Sequence, residues 1–278
     1  MKKLTVILSL LILPAAFSFG QLSVSGVAGS DGYQVLRASF TTGLFLVPGL
    51  SAHAKYALFQ RDEMSDMSRY ALGLDYQLPF IEIAEVGAEA GYQPKANQYS
   101  SYYYDLHGAV DLHEILFRLV PTDELKLGLG VRETRHSFYY NPDTNVNETD
   151  IYAYLYQKTG GFDAMINFTK AIHYSADTNE VPPWLDMPGF VSVTSGYLDY
   201  SFGANAGYTY KFIRPYIAYN YLKIKDSAED TDDLGLGLTV QIAGVNINGS
   251  VEWLNFSKNT ASRPRERYLS LSAGVKLF

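Results

Sequence analysis

The feature that most constrains this 278-residue chain is an alternation of apolar and polar residues in blocks of roughly ten, separated by turn residues. Residues 68–78 show it most clearly. Tyr70, Leu72, Leu74, Tyr76 and Leu78 occupy even positions, and Arg69, Ala71, Gly73, Asp75 and Gln77 occupy odd ones. Successive strand side chains point to opposite faces, so such a block presents one apolar and one polar face. Ala84, Val86, Ala88, Ala90 and Tyr92 likewise oppose Glu85, Gly87, Glu89 and Gly91, and Leu125, Leu127, Leu129 and Val131 oppose Lys126, Gly128, Gly130 and Arg132. The pattern predicts strands near 21–29, 33–46, 50–62, 68–78, 81–93, 100–112, 124–138, 149–157, 162–174, 197–210, 214–225, 233–242, 246–256 and 268–278. That is fourteen; twelve is the second choice, because the first block is the weakest.

An all-β chain with an apolar face on nearly every strand has two solutions. A soluble β-sandwich must bring its apolar faces together in a dry core. A closed antiparallel transmembrane β-barrel turns them toward lipid and leaves no strand edge unpaired there. The opposite faces here are rich in charge and glycine, which favours the barrel. Connection lengths agree with it. Short links at Pro48-Gly49, Pro79-Phe80, Gly160-Gly161, Phe212-Ile213 and Ala243-Gly244 alternate with polar stretches at 62–67, 93–99, 139–148, 175–196, 226–232 and 257–267. Barrels of this kind have short turns on one side of the membrane and longer loops on the other. The link 113–123 breaks the alternation. It carries Ile115-Leu116-Phe117 and is expected to form a short amphipathic helical turn.

The N-terminus reads as a delivery segment. Met1-Lys2-Lys3 is basic, residues 4–17 form an apolar run, and Ser18-Phe19-Gly20 places small residues before Gln21. This is the three-part pattern of a cleavable secretory signal peptide over 1–20, leaving a barrel over 21–278. The apolar run is short for a bilayer-crossing helix. Removing Lys2 and Lys3 with no acid takes the formal charge from −7 to −9, which excludes a nucleic-acid partner on electrostatic grounds. No cysteine is present, so disulfides, thiolate metal sites and thiol nucleophiles are excluded. The 23 tyrosines and 15 phenylalanines suit strands and membrane interfaces.

The signal segment, the alternation and the last block, Tyr268-Leu269-Ser270-Leu271-Ser272-Ala273-Gly274-Val275-Lys276-Leu277-Phe278, together resemble bacterial outer-membrane β-barrel proteins of the porin-like class. Members typically end in an aromatic residue read by the barrel-assembly machinery, and this chain ends in Phe278. It departs from them in phase, since Leu269, Leu271, Val275 and Leu277 are out of step with the final Phe and Lys276 lies two before the end. The resemblance implies integral residence in the outer membrane of a Gram-negative bacterium, with lipid and lipopolysaccharide as partners.

Within that frame the polar faces line a lumen. The predicted pore-lining residues are Arg37, Lys55, Arg69, Asp75, Glu85, Glu89, Asp105, His107, Asp111, Lys126, Arg132 and Glu252, with Asp163 beside them. Both signs are represented, so charge and width would set what passes. The expected function is a porin passing small hydrophilic solutes by passive diffusion, without cofactor, metal or enzymatic chemistry. The alternatives are an outer-membrane protease or lipase and a structural or adhesive surface barrel with a plugged lumen.

Four local features bear on those alternatives. Asp105-Leu106-His107 and Asp111-Leu112-His113 each set a carboxylate and an imidazole on one face, a pairing that can orient a metal ligand or a general base. It resembles the Asp-x-His element of outer-membrane omptin proteases, which also require a second acidic pair; no Asp-x-Asp partner is found. His136-Ser137 falls short of the outer-membrane phospholipase pattern, whose His and Ser lie two apart on one face. The acids Asp226, Glu229, Asp230, Asp232 and Asp233 offer calcium-type ligands, though at no standard spacing, and Arg263, Arg265 and Arg267 offer guanidinium forks to lipopolysaccharide phosphates. The stretch 175–196, with Val181-Pro182-Pro183-Trp184, is either an inward plug or a surface lid.

Overall fold

The computed structural model describes residues 20–29, 32–44, 47–61, 65–79, 83–116, 122–139, 144–173, 182, 196–225, 230–256 and 266–277. All but the last residue of the expected signal segment, together with Arg263, Arg265 and Phe278, lies outside them. Fourteen antiparallel strands form one closed barrel in which each strand pairs with its sequence neighbours. They are β1 (Gly20–Gly29), β2 (Gln34–Gly43), β3 (Leu50–Gln60), β4 (Met67–Gln77), β5 (Ala84–Ala96), β6 (Tyr99–Asp111), β7 (Glu124–Phe138), β8 (Thr144–Thr159), β9 (Phe162–His173), β10 (Leu198–Tyr208), β11 (Ile213–Ile224), β12 (Asp230–Ile242), β13 (Val245–Phe256) and β14 (Glu266–Leu277). Closure is made by β1 on β14, in register from Gly20 opposite Leu277 to Gly29 opposite Tyr268. A short helix, α1 (His113–Leu116), sits in the β6–β7 link where the sequence predicts a helical turn. Among the described residues no helix is long and apolar enough to cross a bilayer.

The outward face explains the closure. Leu72 and Leu106 are 69% and 66% exposed, whereas Asp105, one residue before Leu106, is 3% exposed. Leu129, Ile166, Phe202, Ile217, Leu236 and Leu271 continue the exposed apolar belt around the barrel. In water such a belt would cost about 25 cal/mol per Å2 of apolar surface, so its solvent is hydrocarbon. Aromatic residues edge the belt. Tyr56, Tyr70, Tyr92 and Tyr102 follow one another in register across β3, β4, β5 and β6 on the outward face. At the other rim Phe162 pairs with Tyr208, near exposed Tyr210 and Phe212. Amphipathic rings at both edges match the two head-group layers.

One rim of the barrel, here the turn end, has the short links. Ala243 and Gly244 join β12 to β13 with both residues at positive φ, 49° and 80°. This is the two-residue turn that matches strand twist. The other rim, the loop end, departs from the sequence expectation in three places. The predicted loop 93–99 is a two-residue turn, Asn97-Gln98, at φ 50° and 60°; β5 and β6 simply run further out than their apolar faces do. β8 begins at Thr144 rather than 149, which removes half of the predicted loop 139–148. β12 begins at Asp230, so Asp230 and Asp232 lie on one face of a strand and Asp233 on the other; Asp226 and Glu229 lie outside the described residues. At the turn end β2 stops at Gly43 and β5 starts at Ala84, each three residues inside the predicted limits.

The core lies inside the barrel, at the loop end. Val35, Phe59, Met67, Phe138, Leu222, Leu254 and Tyr268 all occupy inward positions on the loop-end portions of their strands, and all are 3% exposed or less. Tyr33 meets Tyr268 edge-on, 5.4 Å between ring centres. Pro182, the one described residue of the stretch 174–195, is also fully buried, and the Gly196 N–H donates to its carbonyl at 3.0 Å. The lumen therefore ends at one mouth in a buried, mainly apolar layer, with Gln93, Thr231 and Glu266 as buried polar members.

The belt generates a direct expectation. Leu129, outward and central on β7, is replaced by Arg at a cost of about 2–4 kcal/mol, the usual cost of a cation on a barrel's lipid face near mid-bilayer. Urea titration of the folded fraction in vesicles measures it.

Candidate functional site

Between the apolar layer and the turn end, the wall of β3 to β8 carries a continuous ionic network. Each of its strands contributes alternate residues inward, and glycines on β4, β5 and β7 decide how those residues lie. A Cβ at Gly73 would overlap the His53 ring, one at Gly87 would overlap His107 and Asp75, and one at Gly91 would overlap Tyr103. With no Cβ there, side chains from the neighbouring strand fold flat across the wall and reach the next strand.

The result is an alternating chain of bases and acids. Lys55 Nζ donates to Glu89 Oε2 at 2.5 Å, and His53 Nε2 lies 2.7 Å from the same oxygen. His53 Nδ1 lies 2.8 Å from Asp75 Oδ2, whose other oxygen is 2.9 Å from His107 Nε2. His107 Nδ1 meets Asp105 Oδ1 at 2.9 Å, and Arg132 Nε donates to Asp105 Oδ2 at 3.1 Å. Two tyrosines complete the carboxylates: Tyr103 donates to Glu89 at 2.6 Å and Tyr152 to Asp105 at 2.7 Å. Arg132 also stacks on the Tyr103 ring, 4.6 Å from its centre. Glu89, Asp105 and His53 are buried, while Lys55 remains half open to the lumen. Buried charges persist only when paired and hydrogen-bonded: here Glu89 accepts from Lys55 and Tyr103, Asp105 accepts from Arg132 and Tyr152, and Asp75 lies between the two imidazoles.

All twelve predicted pore-lining residues face inward, and the structure sorts them into groups. Lys55, Asp75, Glu89, Asp105, His107 and Arg132 join the network. Arg69 approaches Tyr103 and Gln93. Glu85 joins the network residues in lining a cavity of about 390 Å3. Arg37 and Glu252 line a second cavity of about 360 Å3, on the wall of β10 to β14 and β1–β2. Lys126 pairs with Glu124 at 2.5 Å near the turn end. Asp111 turns instead to the backbone: its Oδ1 accepts from the His113 N–H at 2.9 Å and ties down the start of α1. Asp163 forms a two-pronged pair with Arg214.

Sequence reasoning missed several participants. His53, Tyr103 and Tyr152 have inward parity, but tyrosine on a strand reads first as an interface residue. Glu148 falls in the predicted loop 139–148, yet the run Val146, Glu148, Asp150, Tyr152 carries the parity signal that extends β8. Glu148 sits just below the apolar layer, buried, 3.1 Å from His136 Nε2, whose Nδ1 lies 2.8 Å from the Tyr99 hydroxyl. Ser137 points to the opposite face, where its hydroxyl donates to Asn145, so His136 and Ser137 do not meet. Both nitrogens of His107 are engaged by carboxylates, and no group of three or more metal-type ligands is found among the described residues.

Because buried Asp105 serves His107, Arg132 and Tyr152 at once, Asp105→Asn is expected to cost about 3 kcal/mol, by taking the shared carboxylate from three partners. Lys55→Met, at a half-exposed position, leaves buried Glu89 with Tyr103 and His53 and is expected to cost less, about 1 kcal/mol. Guanidinium unfolding in micelles separates the two.

No protein-family model matches the sequence, and no curated protein matches it. Solved structures do match. CdiB from Acinetobacter baumannii superposes at TM-score 0.55 with 10% identity, over 93% of this chain and 60% of that one, so this chain spans well under two thirds of CdiB. The toluene transporter TbuX of Ralstonia pickettii gives 0.53 with 8% identity, over 95% and 91%. OmpT of Vibrio cholerae gives 0.50 with 10% identity, over 93% and 96%. At such identities these likenesses establish the fold. With the outward apolar belt, they agree on a closed antiparallel barrel built to cross a membrane with its strands.

Proposed function

We propose that this barrel is an outer-membrane channel for small hydrophilic solutes, with the loop end toward the exterior. The observation that supports this most is the charged, flat-packed wall of β3 to β8 beside a 390 Å3 cavity. A barrel serving only as a rigid surface post has no need of an interior in which Lys55, Glu85 and Arg132 face open volume. Networked side chains held against the wall keep that volume clear and present fixed donors and acceptors to a passing solute. The same charge disfavours an apolar cargo such as the toluene named for TbuX. The proposal gives the twelve inward residues a lining role and assigns the protein no enzymatic step.

The apolar layer favours a second reading, a closed surface barrel. Under the channel reading this layer is the gate, since hydrophobic constrictions stop conduction by excluding water. Planar-bilayer recording of the refolded barrel distinguishes them. The channel reading expects discrete conductance steps in the unaltered protein and longer or larger openings in Phe59→Ala, which removes a fully buried ring from the layer. Silence in both, from protein shown to be folded by its heat-shifted gel mobility, overturns the channel and leaves the closed barrel.

A further inference from the structure

Two inward rings on β8 are placed unlike the other lumen tyrosines. Tyr152 and Tyr154 stand opposite Gly130 and Gly128 of β7. A Cβ at either glycine would overlap the ring beside it, so each ring lies with one face on bare backbone. Both residues are half-buried and border the 390 Å3 cavity. Tyr103 and Tyr216 also lie over glycines, Gly91 and Gly237, but their lumen faces are taken: Arg132 stands 4.6 Å above Tyr103 and Arg214 stands 5.3 Å above Tyr216. Among the described residues no cation or second ring covers Tyr152 or Tyr154. The two are spaced by one strand repeat, so their free faces form a strip along the barrel axis.

Around this strip are groups suited to hydroxyls. Lys55, Glu85, Asn167 and Thr169 border the same cavity and offer both donors and acceptors. The strongest charges nearby are already matched, Arg132 and His107 to Asp105, Lys55 to Glu89. An aromatic face carries partial negative charge and attracts weakly positive C–H groups. A pyranose ring has that pairing built in, with an apolar C–H face and a rim of hydroxyls. An organic cation would also favour the rings, and Glu85, Glu148 and Asp150 line the same cavity, so tetramethylammonium is the competing probe in the test.

We infer that Tyr152 and Tyr154 form a stacking platform for the sugar ring of a small neutral saccharide. This names the solute class of the proposed channel and rests on that reading for the sugar's route, but not for its binding. The test uses the full barrel folded in a detergent without a sugar headgroup, with maltotriose as probe and saturation-transfer NMR as readout. The expected result is magnetisation transfer to the C–H protons of maltotriose, with affinity about ten-fold weaker in Tyr152→Leu/Tyr154→Leu, the loss of roughly one aromatic contact's worth of energy or more. Tyr154→Phe, which keeps the ring, is expected to bind as the unaltered barrel does. Should the double variant fail to fold, Tyr154→Leu alone leaves the Tyr152–Asp105 hydrogen bond intact and reads the same loss. Absence of transfer in the folded unaltered barrel, equal transfer in the leucine variants, or transfer to tetramethylammonium in place of maltotriose overturns the inference. A barrel that binds without conducting overturns the channel alone, and one that conducts without binding overturns the platform alone.

Discussion

Backbone hydrogen bonding in a medium without water governs this structure. Inside a bilayer an unpaired strand edge has no partner, so the sheet must close, and it closes here through β1 on β14. Closure fixes two environments for every strand, and because side chains alternate, each strand must supply lipid-compatible residues at every second position. Leu72 beside Gly73 and Asp105 beside Leu106 are consequences of that single requirement. A one-residue slip in any strand would put its charges into hydrocarbon, so register is held by both faces at once.

The inward positions are freed from lipid and are used in three ways along the axis. Near the turn end they are polar and wet, as with Lys126 and Glu124. In the middle of the β3–β8 wall, glycines let rings and charges lie flat, and the alternating chain from Lys55 to Arg132 stiffens the sheet from within while leaving volume beside it. At the loop end Phe59, Phe138, Leu222 and Leu254 build a core of the kind a soluble protein has. On the channel reading the charged lumen is a vestibule and that last layer its gate; on the closed-barrel reading the layer is a permanent core.

Much of this was legible in the sequence, and the reasons are physical. Strand number and facing were readable because lipid enforces the period of two wherever a strand crosses the apolar belt. The outer limits of β5, β6 and β8 were not readable, because beyond the belt both faces meet water or lumen and the alternation loses its contrast; Asn97-Gln98 also lacks the glycine that usually marks a two-residue turn. The apolar layer was hidden for the opposite reason. Phe59 and Leu222 have inward parity but apolar character, so in the sequence they read as lapses in the pattern rather than as a core. The lining residues were found as individuals, but their connection through His53, Tyr103 and Tyr152 depends on neighbouring-strand glycines that only the register reveals.

An open, polar lumen gives way to a buried, mainly apolar layer within one strand's length. The absence of native cysteine makes it directly measurable by single-cysteine labelling with a membrane-impermeant maleimide. On β11, Ala218 borders the 360 Å3 cavity and Leu222, four residues on and on the same face, is fully buried. The expected result in folded, membrane-inserted protein is modification of Ala218→Cys from the turn end and protection of Leu222→Cys from both sides. Labelling of Leu222→Cys at the rate of Ala218→Cys would contradict the account and show a lumen open from end to end.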